Sequence, residues 1–307
     1  MANEVTFSAL SDATIAAALH NEIILKLGDR ASLLGHPAIR YIGSVNGSGS
    51  NVRKAALWGG GLDQMAAVAD GSSASNTAIT NGNVQVTVAR QALMRSATDL
   101  ASMTWAFASP AALVEQLASD MVTSAQLRFT TLVTDVTDGF TSTVGASGVD
   151  FSVTNWFSAQ ATLTQASAPG PYVAILAPVQ LTDLQTSLRS EAGPLQFTPA
   201  TPELMAIKGQ GYAGSFMGVD IFVSSTVPSA NAGADRAGAL MSYGAVAYAD
   251  GVSSPIIGAG GVVIANGPIC VEVQRDAAGA LTKVVGNYFV GVAKAQDAMG
   301  VSIITDL

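Results

Sequence analysis

The stretch Pro171-Tyr-Val-Ala-Ile-Leu-Ala-Pro178-Val-Gln-Leu-Thr-Asp-Leu184 places an apolar run directly before a proline and a leucine-spaced segment. Tyr172 to Leu176 reads as a short buried strand. Pro178 suits the first position of a helix, Leu181, Leu184 and Leu188 share one face of it, and Gly193-Pro194 ends it. Working upstream, Thr154 begins a predicted helix through Trp156, Leu163 and Ala166, which Gly170-Pro171 breaks.

The strongest helix lies further upstream. Ser109 can cap it, Pro110 opens it and Gly139 stops it. Leu113, Val114, Leu117, Ala118, Met121, Val122 and Ala125 form its apolar stripe. The β-branched residues between Thr130 and Thr137 weaken the pattern at its far end. A first helix is expected over Asp12 to Lys26. Between Gly43 and Gly82 the chain is rich in Gly, Ser and Asn, which predicts a long loop or an extended hairpin. Asn81-Gly82 is a turn signal, and Val84, Val86 and Val88 then alternate with period two, as in a strand.

Downstream, Val219 to Ser224, Val262 to Ile264, Ile269 to Gln274, Val284 to Val292 and Val301 to Thr305 read as strands. Asp276 to Gly279 reads as a turn, and Ala239 to Tyr248 as a short helix. Helix and strand alternate without a regular βαβ rhythm, so the expected class is α+β.

Charged residues are 12% of the 307, with 14 Lys plus Arg against 22 Asp plus Glu, a net charge of -8. With 49% hydrophobic residues, this excludes a disordered chain. One cysteine excludes a disulfide scaffold, and the acidic balance argues against a nucleic-acid binder driven by bulk charge. No uninterrupted apolar run is long enough to span a membrane, and the N-terminus has no basic start before an apolar run. Synthesis and use in a cytoplasm are therefore expected. A low-charge surface rich in Ala, Val and Gly would be sticky on a monomer, and burying it against further copies removes the problem.

Chemistry-bearing patterns are sparse. His20 and His36 have no second ligand at metal-binding spacing, and Cys270 sits between Ile269 and Val271 as a buried inert thiol. Gly209-Gln-Gly211-Tyr-Ala-Gly214 matches GxGxxG, yet a strand pattern follows where dinucleotide binding needs a helix, so it reads as a glycine-rich turn entering a strand. The five lysines lie in no motif that would lower a pKa. No catalytic constellation, cofactor site or metal site is expected, and the chain is read as not an enzyme.

The second half resembles the major capsid proteins of tailed bacteriophages with the Hong Kong 97-type fold. The residues that carry the resemblance are Pro171 to Leu184, Gly211 to Ser224 followed by Val227-Pro228, Ala239 to Tyr248, and Gly286 to Thr305 with Gly291 and Gly300. The first half agrees in layout: an arm, a long glycine- and serine-rich loop, then a long helix. The resemblance implies an N-terminal arm (1–40), an extended loop (41–90), a peripheral domain with a spine helix (91–149 and 263–307) and an axial domain (150–262). It implies a structural protein that self-assembles through pentamers and hexamers into an icosahedral shell enclosing double-stranded phage DNA, without sequence-specific binding and without a membrane. A separate scaffolding protein, a portal and a decoration protein are the implied partners. The virion is the implied location, after synthesis in a bacterial host. Arg30, Arg40, Arg53, Lys54 and Trp58 are candidate intersubunit contacts from their places in the arm and loop. Two alternatives stand beside this: an encapsulin-like nanocompartment shell enclosing protein cargo, and an enzyme with a glycine-rich loop site at 43–61.

Overall fold

The computed structural model describes residues 4–5, 33, 38–59, 65, 67–74, 80–104, 110–190, 197–209, 211–252, 261–265 and 269–306. The helices among them are α1 (Asp99–Thr104), α2 (Pro110–Asp138), α3 (Val153–Gln165), α4 (Pro178–Ser190) and α5 (Pro202–Lys208). The strands begin with β1 (Glu4–Val5), β2 (Ile39–Ser44), β3 (Val52–Gly59), β4 (Thr80–Thr87), β5 (Ala89–Thr98) and β6 (Thr143–Gly145). They continue with β7 (Tyr172–Leu176), β8 (Phe197–Pro199), β9 (Tyr212–Phe216), β10 (Val219–Val223), β11 (Ser229–Ala230) and β12 (Asp235–Ser242). The last are β13 (Val246–Gly251), β14 (Gly261–Ala265), β15 (Ile269–Asp276), β16 (Leu281–Lys294) and β17 (Gly300–Asp306).

Two large sheets and one hairpin organise these elements. The seven-stranded sheet is ordered β1-β5-β16-β13-β2, with β15 also on β16 and β14 on β15. Its hub is β16, long enough to pair β5 along one side and both β15 and β13 in succession along the other. The eight-stranded sheet is ordered β6-β17-β12-β7-β10-β9-β8, with β11 on β12. β3 and β4 pair only with each other.

The apolar run at 172–176 forms β7, buried on both faces. Val173 and Ile175 enter one core with Phe129 and Val133 of α2, whereas Ala174 and Leu176 enter another with Trp156, Leu163 and Leu184 of α3 and α4. A strand covered on both faces needs no polar alternation, which is why this one reads as continuous apolar sequence. The first core also takes Tyr288 and Val290 of β16, so α2 is packed against both sheets.

The long helix runs the full distance between its proline and glycine signals. Its threonines do not end it. Thr130 and Thr131 return their hydroxyls to the carbonyls of Gln126 and Leu127, which satisfies them inside the helix. Ser302 of β17 donates to the carbonyls of Thr137 and Asp138, and Lys294 donates to that of Gly139, so the C-terminal end is capped by tertiary partners. The side chains of Leu113, Val114, Leu117 and Ala118, together with Ser109 and the Asp12 to Lys26 helix, lie outside the described residues.

Two expectations are corrected. Ala239 to Tyr248 is not a helix but the end of β12, a turn and the first half of β13. Alanine favours helix locally, yet here Ala239 and Met241 point into one core and Leu240 into the other, a period of two imposed by flanking strands. Gly244 makes the turn with φ of +81°. Asn81-Gly82 is not a turn either, since it pairs in β4 opposite Trp58 and Leu57. β17 pairs with β12 and β6, and β13 pairs with β16 and β2. The chain therefore crosses between sheets at points where composition does not change.

Candidate assembly interface

The Gly/Ser/Asn-rich segment forms an extended hairpin, β3 against β4, in continuous register from Val52↔Thr87 to Gly59↔Thr80. Its base is anchored. Val84, Val86 and Val88 are buried against Ala247 and Ala249 of β13, with Phe289 and Ala293 of β16 packed around them. Gly291 permits the approach, because a Cβ there would lie 2.1 Å from the carbonyl oxygen of Thr87. Beyond the paired strands, the described residues are exposed. Met65 is fully exposed at 104% and Val68 at 47%.

The five candidate contact residues separate in space. Arg53 is half-buried at the hairpin base, where its Nε donates to the carbonyl of Ile42 at 3.3 Å and its guanidinium lies over Gly43. It is a latch within one subunit. Lys54 is exposed on β3, and Arg40 is exposed on β2. Strand β2 pairs with β13 and with no second strand among the described residues, so Arg40 stands on a sheet edge. Trp58 lies near the hairpin tip opposite Asn81, with its side chain outside the described residues, as is all of Arg30. The structure thus brings Arg53, Lys54 and Trp58 onto one strand and leaves Arg40 on another.

Beside Arg40, Tyr41 donates its hydroxyl to Asp250 at 2.7 Å and its ring meets Tyr248 at 5.0 Å. Burial first, then this hydrogen bond to a carboxylate, push the Tyr41 phenol up to about 12, so it remains a donor throughout the neutral range.

Sequence reasoning missed three other surfaces. Met205 and Ile207 on α5 and Met217 at the β9–β10 turn are exposed, and Lys208 ties α5 to β10 through both oxygens of Asp220 at 2.6 Å. Partial burial opposes the Lys208 charge, but Asp220 outweighs it and raises the pKa. Leu100 and Met103 are exposed on α1. Arg128 on α2 lines a groove beside β5. The GxGxxG stretch closes a helix at Gly209 and enters β9, as its turn reading expects. Cys270 is buried in β15. Among the described residues, no three potential metal ligands converge. What this surface offers is apolar contact and scattered positive charge, which suits protein association.

No protein-family model matches the chain, and no curated protein matches it in sequence. Solved structures do match. The capsid of Ralstonia phage GP4 superposes with a TM-score of 0.62 at 14% identity, over 94% of this chain and 94% of that one. The capsid of Cyanophage P-SCSP1u gives 0.60 at 12% identity, over 94% and 92%. The holo-SrpI encapsulin complex of Synechococcus elongatus gives 0.62 at 10% identity, over 96% and 95%. At these identities the likeness is one of fold, and that fold is the α+β Hong Kong 97-type capsid fold.

Proposed function

We propose that this chain is the subunit of a closed protein shell, and specifically a phage major capsid protein that assembles through pentamers and hexamers around double-stranded DNA. The observation that carries the reading is fold likeness to phage capsids over nearly the whole length of both chains. Low charge density supports it, because a subunit surrounded by copies of itself must bury much of its surface without stranding charges. Contacts of this kind are heterologous and must close into rings before a shell can form.

In this reading the seven-stranded sheet with α2 is the peripheral domain, the eight-stranded sheet is the axial domain, and the β3–β4 hairpin is the extended loop. Residues 1–40 supply the arm. Arg30, Arg40, Lys54 and Trp58 face neighbouring copies, whereas Arg53 holds the loop to its own body. Scaffolding, portal and decoration proteins are the further partners, and the protein works in the virion as a structural component with no catalytic step. A nanocompartment shell is the second reading, favoured by the likeness to the SrpI encapsulin.

Electron microscopy and light scattering of the purified chain test the proposal. Closed shells, or rings of five or six, are the expected result. Nuclease-protected DNA in particles from the native source supports the capsid, and a single enclosed protein supports the nanocompartment. A chain that stays monomeric at high concentration, with and without co-expressed scaffold, overturns both readings.

A further inference from the structure

Three Asn-Gly pairs stand in the sequence, at 46–47, 81–82 and 266–267. In such a pair the backbone nitrogen of the glycine can attack the side-chain amide carbon before it, because no Cβ hinders the approach. Asn81-Gly82 is paired within β4 opposite Trp58 and Leu57, so closing a ring there means leaving the ladder. Asn266-Gly267 lies outside the described residues.

Asn46-Gly47 is placed differently. It occupies the exposed middle of a tight turn, closed by the Ser48 amide donating to the carbonyl of Val45 at 3.1 Å. The Gly47 amide donates to none of the described residues, so the attacking nitrogen is not tied down. Gly47 has a φ of +72°, and a Cβ there would meet nothing within 4 Å. Glycine accepts either sign of φ, so the Asn46–Gly47 peptide can turn over without obstruction. The Asn46 side chain is held meanwhile. Its Oδ1 accepts from the Val252 amide at 3.0 Å, and its Nδ2 donates to the Val252 carbonyl at 3.3 Å. A backbone N–H on Oδ1 stabilises the negative charge which that oxygen gains when Cγ is attacked.

The same two bonds have a structural task. The Val45 amide donates to the Asp250 carbonyl at 2.9 Å, and Ser44 Oγ donates to that carbonyl at 3.3 Å. Together the four bonds zip residues 44–46, at the root of the hairpin, to residues 250–252 at the end of β13.

We propose that Asn46 is a site of spontaneous deamidation, and that its conversion unties the hairpin root from β13. The Gly47 nitrogen bonds to Asn46 Cγ and loses its proton, and Nδ2 leaves as ammonia. Water then opens the five-membered imide to aspartate or isoaspartate, and no other reactant is needed. Either product lacks Nδ2 and gains a carboxylate. The donor to the Val252 carbonyl is gone, and a negative charge stands where it was. None of this depends on whether the subunit forms a shell.

Peptide mapping by mass spectrometry tests it, on the full chain aged at mildly alkaline pH. Conversion is expected first at Asn46, with Asn81 unchanged over the same interval. An Asn46→Gln variant, whose longer side chain would have to close a larger ring, should stay intact at that position. Hydrogen exchange reads the consequence. In the aged chain, and in a fresh Asn46→Asp variant, the Val45 amide should exchange several-fold faster than in the fresh chain, while the β7 amides keep their protection. Asn46 that stays intact in the folded chain while the same chain in denaturant converts there shows that the fold protects it and overturns the site. Conversion at Asn46 with no change in exchange at Val45 overturns the untying.

Discussion

The eight-stranded sheet and the β3–β4 hairpin are opposite solutions within one chain. The sheet closes on itself. Trp156 is fully buried between Phe151 and Phe216, and Gln180, also fully buried, accepts from the Ala177 amide and donates to the carbonyls of Arg236 and Ile303 and to Thr305. The hairpin closes only at its base, where each of three buried valines contributes about 1.5–3 kcal/mol. A lone two-stranded ribbon beyond that base is marginal in water. One region is closed by its own subunit's side chains, and in the proposed shell the other would be completed by a neighbour.

The largest effect should come from emptying the sheet's core. Trp156→Ala is expected to cost about 3–5 kcal/mol in denaturant unfolding. Trp156→Phe should cost much less, since it keeps the ring and removes an indole N–H that has no hydrogen-bond partner among the described residues. If Phe157→Ala, on the exposed side of the same helix, costs as much as Trp156→Ala, the sheet is not the self-sufficient half. Next in size is Gln180→Leu, which leaves four buried polar groups without this partner and should lose about 2–4 kcal/mol. A loss as small as that of a surface substitution would show that the network is slack.

The hairpin should respond in the opposite way. Replacing residues 60–79 with Asn-Gly joins the paired Gly59 and Thr80 through a two-residue turn. Subunit stability should move by no more than about 0.5 kcal/mol, while assembly is lost. Unfolding of the shortened chain would place the tip in its own core and erase the contrast.

The smallest expected effect is electrostatic. Partial burial, then repulsion from Asp150 and Asp306, raises the pKa of Asp183 on α4. A carboxylate whose pKa is higher folded than unfolded weakens the fold when ionised, and the cost disappears as falling pH protonates it. Asp183→Asn should therefore raise the melting point at pH 7 by about 1–2 °C, with the gain fading as pH drops through the carboxylate range. A gain that persists at low pH would assign the effect to something other than charge.

Much of this was legible in the sequence where the local signal and the tertiary environment agree. Pro110 and Gly139 bound the long helix because a missing amide and a missing side chain act on the backbone itself. The Val84 and Val86 alternation showed a strand with one buried face. Arg40, Lys54 and Trp58 could be assigned to an arm or loop by place in the chain, but the inward turn of Arg53 depends on Ile42 and Gly43 being brought beside it. The groove was invisible because Gln91, Arg128 and Asn287 are far apart in sequence and meet only when α2 lies across the sheet.

The sequence by itself determined the α+β class, the long helix, the buried strand at 172–176 and the exposed loop, because each rests on periodicity or on the backbone chemistry of Gly and Pro. Only the tertiary structure decided that 239–248 is strand and turn, that β17 and β16 belong to different sheets, and that Gln91, Arg128 and Asn287 meet in one groove. Those outcomes depend on which strands lie alongside. A short apolar segment fits helix or strand, in either sheet, until its neighbours are in place.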